Sequence, residues 1–292
     1  MTPRTLPAVW VDGQPCADPS HAVAIDDRGF TLADGVFETM RVVNGAVFRL
    51  DRHLARLTRS LDILEIAPPP RIEQSIRDAV RESGAVDGGV RLTVTRGAGA
   101  SGVAPPANAR PTVVIAVNPL PAFPPSIYEA GLSAHVASGR RNELAPTVGL
   151  KTIAYTDAVA AWLEARRAGA DEALFLDTAG HCSEATASNL FIWNGTALVT
   201  PPLTCAALPG ITRATILEIA AAIGVAAEDR AFGLDELGSA TEAFLTSSLR
   251  GIAPLVRIGG RSLGSGAPGA VTRRLSAEYT ALVARECGLT RT

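Results

Sequence analysis

One lysine stands out among the residues that could do chemistry. The 292-residue sequence contains 27 lysines and arginines, and Lys151 is the only lysine among them. Arginine keeps its proton in proteins, so a reaction that needs a neutral amine as nucleophile must use Lys151. Its apolar neighbours Leu150 and Ile153 can desolvate the amine, which favours the neutral form. A sole lysine can also be an accident of composition, so its meaning depends on the other candidates.

A carboxylate and an amide stand within an apolar, strand-forming stretch further along the chain. Glu184 and Asn189 are separated from each other by small residues, and Asn189 opens an apolar run that ends at Trp193. A lone acid at a strand edge is ordinarily solvated, whereas a partly buried one needs a charged or hydrogen-bonded partner. The sequence leaves both interpretations of Glu184 open.

Two later segments could bind an anion. The segment Leu208–Arg213 is a glycine turn ahead of a helical pattern, and the free N–H groups of a helix N-terminus attract anions. An ordinary helix start capped by Thr212 is equally compatible with the local sequence. The segment Thr246–Ser248 places hydroxyls after an apolar strand, either as turn residues or as further phosphate donors.

A glycine-rich segment resembles a dinucleotide-binding motif but does not continue as one. Gly97, Gly99 and Gly102 match the pattern GxGxxG after a predicted strand. Pro105 and Pro106 prevent the helix that must follow, and no acidic residue near position 122 is available for a ribose. The segment is therefore predicted to be a loop at the surface or the active site.

The spacing of the histidines and cysteines does not match a metal site or a disulfide framework. No metal-ligand spacing or CxxC pair is present, so neither a zinc site nor a disulfide framework is predicted. These residues are interpreted as structural or surface histidines and as inert thiols: His21, His53, His135, His181, Cys16, Cys182, Cys205 and Cys287.

Charge and hydropathy exclude other classes of partner. Net charge is -2, with 29 acidic residues and no basic stripe, so nucleic acid is not an expected partner. No apolar stretch approaches the roughly 18 residues of a membrane helix, and the N-terminus lacks the apolar run of a signal peptide. A cytoplasmic location away from the membrane is expected.

The elements that must position these residues are a mixture of strands and helices without a repeat. Strands are predicted at 9–11, 39–43, 46–48, 90–95, 112–117, 132–136, 172–176, 189–193, 197–199 and 243–245. Helices are predicted after a capping Asp51, with Leu54, Leu57, Leu61 and Leu64 on the buried face, and at 71–83, 152–167, 212–223 and 271–285. This pattern favours an α+β architecture with domains at 1–117 and 127–292, joined by a proline-rich linker at 118–126.

In this order and spacing, the segments resemble the class IV aminotransferases. This family of fold-type IV pyridoxal 5′-phosphate (PLP) enzymes includes branched-chain and D-amino-acid aminotransferases and aminodeoxychorismate lyase. The resemblance covers nearly the whole chain and implies a small N-terminal α/β domain and a larger C-terminal pseudo-barrel domain. Its landmarks are Asp27–Thr39, His53–Leu57, Lys151, Ser183–Phe191, Leu208–Arg213 and Phe244–Gly251.

The resemblance implies a role for each matching residue. Lys151 would carry PLP as a Schiff base, and Glu184 would pair with the ring nitrogen. Leu208 would pack against the ring, and Tyr155 would lie near the cofactor hydroxyl. The implied phosphate ligands are Arg56, Ile211, Thr212, Ser247 and Ser248.

The motifs that select substrate and reaction are mixed. After Thr95-Arg96-Gly97 the chain lacks the Arg-x-His carboxylate trap of the usual D-amino-acid enzymes. The segment Gly102–Pro105 resembles branched-chain enzymes, whereas Phe37-Glu38-Thr39, Arg141–Leu144 and Ser248–Ile252 are closer to the lyases. Carboxylate recognition favours a guanidinium. The substrate-binding candidates are Arg28, Phe37, Arg91 and Arg250, with a surface or dimer contact as the alternative for each arginine.

Transamination between an amino acid, D-amino acids included, and a 2-oxo acid is the preferred interpretation. Release of pyruvate and 4-aminobenzoate from aminodeoxychorismate is the close alternative, and a non-catalytic PLP-binding protein is a remote one. The resemblance also implies a homodimer in which each site is completed by a loop of the neighbouring subunit.

Overall fold

The computed structural model describes residues 7–100 and 102–289. Strands β1 to β6 lie at Ala8–Val11, Gln14–Cys16, Gly35–Val43, Ala46–Val47, Asp87–Thr95 and Thr112–Asn118. Strands β7 to β15 lie at Leu132–Arg141, Glu172–Asp177, Cys182–Ala185, Asn189–Trp193, Leu198–Thr200, Ala227–Asp229, Glu242–Ser247, Gly251–Ile258 and Arg261–Ser262. Helices α1 to α8 lie at Arg28–Leu32, Leu50–Ile63, Ile72–Ser83, Ser126–Glu129, Thr156–Arg167, Ile211–Ala222, Leu234–Ser239 and Ala270–Glu286.

The chain folds as two compact units. The first unit comprises Met1–Pro121, Leu150–Ala154 and Val283–Thr292, and the second comprises Ala122–Gly149 and Tyr155–Leu282. Lys151 thus belongs to the first unit, although it is separated from the rest of that unit by 28 residues of the second, 122 to 149. The predicted linker at 118–126 stays a prediction.

The first unit is built on an antiparallel sheet in the order β2-β1-β6-β5-β3-β4. Alternation along β3 sends Val36, Met40 and Val42 into a core that also takes apolar residues from α2 and α3. The side chain of Phe37 lies on the opposite face of the same strand. A single strand therefore supplies both core residues and a candidate site residue.

Helix α2 has the predicted apolar face but not the predicted cap. Leu57 and Leu61 are buried in the core of the first unit. The capping position is occupied by Arg49, which has a φ of 54° and makes no side-chain cap bond, so the prediction for Asp51 was wrong. Asp51 lies in the first turn instead, where a carboxylate still interacts favourably with the helix dipole.

The helix predicted at 152–167 begins later than expected, because Thr152 instead forms an isolated β-bridge with Val36. The N–H of Phe37 donates to the carbonyl of Lys151 at 2.9 Å, and the N–H of Ile153 donates to the carbonyl of Gly35 at 3.1 Å. Because β3 satisfies these backbone groups, α5 begins only at Thr156. The backbone of Lys151 is consequently fixed to the edge of β3.

The second unit contains a closed ring of strands. Its sheet runs β12-β11-β10-β13-β14-β7-β8-β9, and an additional pairing between β9 and β10 closes six of these strands on themselves. The core inside it is apolar and includes Leu174, Leu190 and Leu245. This barrel confirms the mixed α+β class and the pseudo-barrel that the resemblance implied.

Predicted strands at 132–136, 172–176, 189–193 and 243–245 are confirmed within longer or equal strands. Two strands of the ring were missed. Strand β9 has four residues and carries Ser183 and Glu184, so it lacks an apolar alternation. Strand β14 starts at a glycine and contains Pro254, which local rules place outside a central strand. Among the described residues, no helix is long and apolar enough to cross a membrane.

Candidate active site

The amine of Lys151 lies beside an aromatic ring that also carries a guanidinium. Nζ of Lys151 is 4.4 Å from the centre of the Phe37 ring, and Cζ of Arg91 is 3.9 Å from the same centre. Phe37 pairs with Thr93 and Thr39 pairs with Arg91, so Phe37 and Arg91 are diagonal neighbours on one sheet face. The structure therefore brings three of the predicted residues together. Phe37 is buried, whereas Arg91 is exposed and Lys151 is half-buried.

Arg56 is held by a buried carboxylate that the sequence analysis missed. Its Nε and Nη2 donate to the two carboxylate oxygens of Glu38 at 2.8 and 2.6 Å. This bidentate pair fixes the plane of a guanidinium, which has five N–H donors in total. Alternation along β3 could have revealed Glu38, because it shares the core face of Val36 and Met40, where a carboxylate needs a partner.

His53 completes this buried network. Its Nδ1 lies 2.7 Å from Oε2 of Glu38. Burial alone would raise the pKa of Glu38, but hydrogen bonds from Arg56 and His53 outweigh it and hold that pKa below the ordinary value. Burial lowers the pKa of His53 despite the neighbouring carboxylate. A neutral His53 that donates to an ionised Glu38 satisfies both groups.

Glu184 is a largely buried carboxylate with three partners. Its side chain is 12% exposed, and Nη2 of Arg141 lies 3.5 Å from Oε1. Oε2 accepts a hydrogen bond from the N–H of Leu208 at 2.9 Å and one from Nδ2 of Asn189 at 3.3 Å. Of the two interpretations of Glu184, the partnered one is therefore observed. Such a carboxylate is suited to hold a cationic ring N–H.

Asn189 links strand β10, which pairs with the strand of Glu184, to the segment before α6. Its Nδ2 donates to the carbonyl of Leu208 at 2.9 Å, and its backbone pairs with that of Glu184. A methyl group on Gly210 would come within 1.9 Å of Oδ1 of Asn189, so a larger residue there would displace the amide that bonds Glu184 and Leu208. Leu208 itself is half-buried.

Helix α6 begins with an uncapped N-terminus. Gly210 is the N-cap residue, with φ of -68° and ψ of 136° and no side-chain cap bond. Thr212 lies inside the first turn, so the alternative of a plain helix start capped by Thr212 was wrong. Ile211 and Thr212 are both buried. The first N–H groups of a helix lack intrahelical acceptors, so this end suits a phosphate.

The hydroxyl residues Thr246–Ser248 lie at the short connection between strands β13 and β14. Strand β13 ends at Ser247 and β14 begins at Gly251, so Ser248 lies in the turn between them. Thr246 pairs with Asn189, which places Thr246, Asn189 and Glu184 in one row on the same face of the barrel sheet. The buried Oγ1 of Thr246 has no hydrogen-bond partner within the described chain. A buried hydroxyl of this kind fits a site that receives a polar ligand.

Arg28 is committed to the glycine loop. Nε of this buried residue lies 2.9 Å from Oδ2 of Asp34. Its terminal nitrogens donate to the carbonyls of Gly102 and Val103, each at 2.9 Å. The guanidinium therefore holds the loop, including the glycine-rich segment, and it is neither a surface nor a free substrate arginine here. Ser101 of that segment lies outside the described residues.

Arg250 and Tyr155 lie in the second unit. Nη1 of Arg250 is 3.7 Å from Glu172, and its guanidinium is 5.5 Å from the ring centre of Phe123. Nε of Arg250 is buried without a hydrogen-bond partner in the described chain. Tyr155 immediately precedes α5 and is half-buried.

Most of the chain is similar to proteins of one family. The model of the family Amino-transferase class IV matches residues 35–258. A putative branched-chain-amino-acid aminotransferase of Methanocaldococcus jannaschii is 33% identical, over 93% of this chain and 94% of the relative. A D-alanine aminotransferase of Bacillus licheniformis is 32% identical, over 87% of this chain and 89% of the relative.

Solved structures give the same fold. The Escherichia coli branched-chain amino acid aminotransferase has a TM-score of 0.91 at 28% identity, over 98% of this chain and 96% of that one. The 4-amino-4-deoxychorismate lyase of Pseudomonas aeruginosa has a TM-score of 0.84 at 33% identity, over 97% and 100%. A further branched-chain amino acid aminotransferase, with a TM-score of 0.89 at 27% identity over 97% and 95%, contains pyridoxamine 5′-phosphate.

These findings determine family and cofactor. The family match spans more than half of the chain, and the residues around Glu184 and at the start of α6 fit the ring nitrogen and phosphate of the cofactor. The chain therefore belongs to the class IV aminotransferases and is a pyridoxal 5′-phosphate-dependent enzyme.

Proposed function

We propose that the enzyme moves the amino group of an amino acid, D-amino acids included, to a 2-oxo acid. The observation that carries this proposal is the position of Lys151 and Arg91 on one aromatic ring, 4.4 and 3.9 Å from the centre of Phe37. An amine that acts at the α-carbon, next to a guanidinium that binds a carboxylate, suits an amino acid substrate.

We assign the cofactor contacts to the residues that the sequence predicts. Lys151 forms the covalent bond to PLP, and Glu184 accepts a hydrogen bond from the protonated ring nitrogen. Leu208 packs against the ring, and Tyr155 donates to the ring hydroxyl. The phosphate is held by Arg56, Ile211, Thr212, Ser247 and Ser248. The uncapped N-terminus of α6 supports the phosphate assignment.

The chemistry of the proposed reaction is divided among a few side chains. When bound, PLP supplies an electron-withdrawing ring that stabilises negative charge at the substrate α-carbon. Lys151, released by the substrate amine, removes the α-proton as a base and returns it as an acid. Glu184 keeps a proton on the ring nitrogen. Hydrogen bonds from Leu208 and Asn189 stabilise the ionised carboxylate that this task requires.

Arg91 is our candidate for the substrate carboxylate. Among the predicted arginines, Arg28 is occupied by Asp34 and loop carbonyls, and Arg250 is near Glu172 in the second unit. Arg91 lies with Lys151 on the ring of Phe37, its Cζ 3.9 Å from the ring centre, where a guanidinium can bind a substrate carboxylate. Arg250 remains the second candidate, since its Nε is buried without a partner in the described chain.

A lyase is the second candidate function. The aminodeoxychorismate lyase of Pseudomonas aeruginosa is as similar in sequence as the archaeal aminotransferase, each at 33% identity. Both reactions start with the same proton removal by Lys151, so the site residues alone do not separate them. We favour transamination because curated relatives from Methanocaldococcus jannaschii and Bacillus licheniformis, 33 and 32% identical, are aminotransferases by name.

Absorption spectroscopy of the purified enzyme separates the two reactions. An aminotransferase loses its visible cofactor band when D-alanine, L-leucine or L-glutamate is added alone, and a 2-oxo acid then restores the band. A lyase releases pyruvate and 4-aminobenzoate from aminodeoxychorismate. If every amino donor leaves the band unchanged while aminodeoxychorismate yields pyruvate, the aminotransferase proposal is wrong.

We further propose that the enzyme is a cytoplasmic homodimer. An apolar surface supports the dimer: Ile25, Phe30 and Val103 are 78, 68 and 87% exposed. Arg28 joins the chain near Phe30 to the loop that carries Val103. Burial of this surface by the same segment of a second copy would remove apolar area from water. If light scattering finds a monomer and that monomer is fully active, the homodimer proposal is wrong.

A further inference from the structure

A carboxylate, an imidazole and a thiol that the proposed function does not use meet in the second unit. Asp177 ends strand β8, His181 lies in the turn before β9, and Cys205 is the last residue of a short helical turn at Leu203–Cys205. One ligand atom of each residue lies within 4.8 Å of those of the other two. Oδ2 of Asp177 and Nδ1 of His181 are 3.1 Å apart.

The backbone around these groups is already fixed. The N–H of His181 donates to Oδ1 of Asp177 at 2.7 Å, and the N–H of Asp177 donates to the carbonyl of His181 at 2.8 Å. These bonds close the turn and direct Oδ2 of Asp177 towards the imidazole. The N–H of Cys205 donates to the carbonyl of Pro202 at 2.9 Å, which holds the third group in place.

The arrangement is unsuited to nucleophilic catalysis. Burial raises the pKa of the Cys205 thiol to about 12, and a hydrogen bond to Asp177 adds to this effect. A reactive cysteine needs the opposite shift, because the thiolate is the nucleophile. An acid-histidine-cysteine set can instead act as ligands, since a coordinated thiol loses its proton to the metal.

The donor set matches a borderline transition metal. Zinc takes carboxylate oxygen, imidazole nitrogen and thiolate sulfur, with bonds of about 2.0–2.3 Å. Tetrahedral bonds of that length separate the ligand atoms by roughly 3–4 Å, so only small side-chain rotations are needed. Asp177 and Cys205 are each 3% exposed, whereas the His181 ring is 45% exposed. A fourth, water ligand can therefore enter from the histidine side.

We propose that Asp177, His181 and Cys205 bind one Zn²⁺ ion, or a similar divalent transition metal, as a structural site. The ion would join the β8–β9 turn to the segment that precedes Leu208. Glu184 lies three residues after His181, and Leu208 three residues after Cys205. The metal would thus hold together the two segments that carry Glu184 and Leu208, which are joined by a hydrogen bond. Local spacing did not predict this site because Cys205 is distant in the chain and forms no CxxC pair.

Cobalt(II) titration tests the site directly. The holoenzyme is treated with a chelator, and Co²⁺ is added while the intense visible bands of tetrahedral cobalt are recorded. We expect one Co²⁺ per chain in the wild type. Cys205→Ser and His181→Gln should each weaken binding by at least about tenfold, as loss of a supporting metal contact already does. Cys16→Ser and His135→Gln serve as matched controls and should bind as the wild type does.

Thermal unfolding gives a second readout that does not depend on activity. Zn²⁺ should raise the Tm of the chelator-treated wild type and leave the Tm of His181→Gln unchanged, because a metal stabilises only the state that binds it. Since His181 is at the surface, this variant stays informative even where Cys205→Ser fails to fold. Equal cobalt binding by the wild type and His181→Gln, or only the weak octahedral spectrum in the wild type, would overturn the proposal.

Discussion

The N–H of Leu208 donates a hydrogen bond of 2.9 Å to Oε2 of Glu184. This contact joins a barrel strand to the segment that leads into α6, and Asn189 reinforces it through the carbonyl of Leu208. Three proposed parts of the cofactor site are therefore held in one hydrogen-bonded unit: the ligand of the ring nitrogen, the residue that packs on the ring and the helix start that binds the phosphate.

Replacing Glu184 tests its charge at constant shape. Glutamine cannot keep a proton on the ring nitrogen, so we expect kcat of Glu184→Gln to fall by about 100-fold or more, the effect of losing one preorganised electrostatic contact. Steady-state rates at saturating cofactor provide the measurement. Glu164→Gln is the control, since Glu164 binds His135 in the same unit at 2.9 Å. A Glu184→Gln enzyme with the kcat of the wild type would refute the assigned role.

Gly210 offers a test of the packing beneath the phosphate site. In Gly210→Ala the new methyl group meets Oδ1 of Asn189 at 1.9 Å, and we expect a stability loss of about 1–3 kcal/mol with weaker PLP binding. Gly233→Ala is a matched control, because Gly233 caps α7 in an extended conformation and its methyl group has open space. Urea unfolding and cofactor titration measure the two effects. Similar losses in both variants would contradict the proposed fit.

Arg91 is predicted to bind the substrate carboxylate. A hydrogen bond to a charged group contributes about 1.5–3 kcal/mol, so Arg91→Met should lower kcat/KM for amino acids by roughly 10- to 100-fold. Arg77→Met, which removes an exposed guanidinium paired with Glu73 at 2.7 Å, should leave kcat/KM unchanged. If Arg91→Met leaves kcat/KM intact, Arg250 becomes the better candidate.

The sequence was sufficient to predict the family and the candidate site residues. It was not sufficient to predict the contacts that hold those residues in place. The six landmarks from Asp27–Thr39 to Phe244–Gly251 were sufficient to predict the family, because their residue types match its motifs in order and spacing. The glycine turn ahead of α6 was also predicted, but its local sequence left a cap by Thr212 open, and only the structure shows that no side chain caps the helix.

The supporting contacts depend on the fold. Glu38 and Arg56 pair only because β3 and α2 pack together, and Arg141 reaches Glu184 only because β7 and β9 flank the same strand, β8. Strand β14, which contains Pro254, is recognised from its pairing with β13 and β7 rather than from propensity. The sequence analysis missed these contacts because tertiary packing outweighed the local rules.

The buried network of Glu38 and His53 predicts a pH dependence of stability. Both folded pKa values lie below the ordinary values of 4.5 and 6.5, so the unfolded chain binds these protons more readily. The contribution of this network to the free energy of unfolding is then fully present above pH 6.5. It decreases as pH falls, first because unfolded His53 gains a proton and, below about pH 4.5, also because unfolded Glu38 does.

Urea unfolding at a series of pH values checks this expectation. His53→Gln should reduce the decrease that begins below pH 6.5, because glutamine does not titrate. His135→Gln, which removes a half-exposed histidine paired with Glu164, is the control and should keep the decrease that begins below pH 6.5. A profile of His53→Gln that superimposes on the wild type would contradict the neutral, buried state of His53.

The most direct test of the account is the identity of the amine that binds the cofactor. Borohydride reduction of the holoenzyme followed by peptide mass spectrometry should find one phosphopyridoxyl group per chain, attached to Lys151, the only lysine. Lys151→Ala should lose both the adduct and the visible cofactor band. An adduct at another amine, or full activity and an unchanged band in Lys151→Ala, would contradict the central role of Lys151.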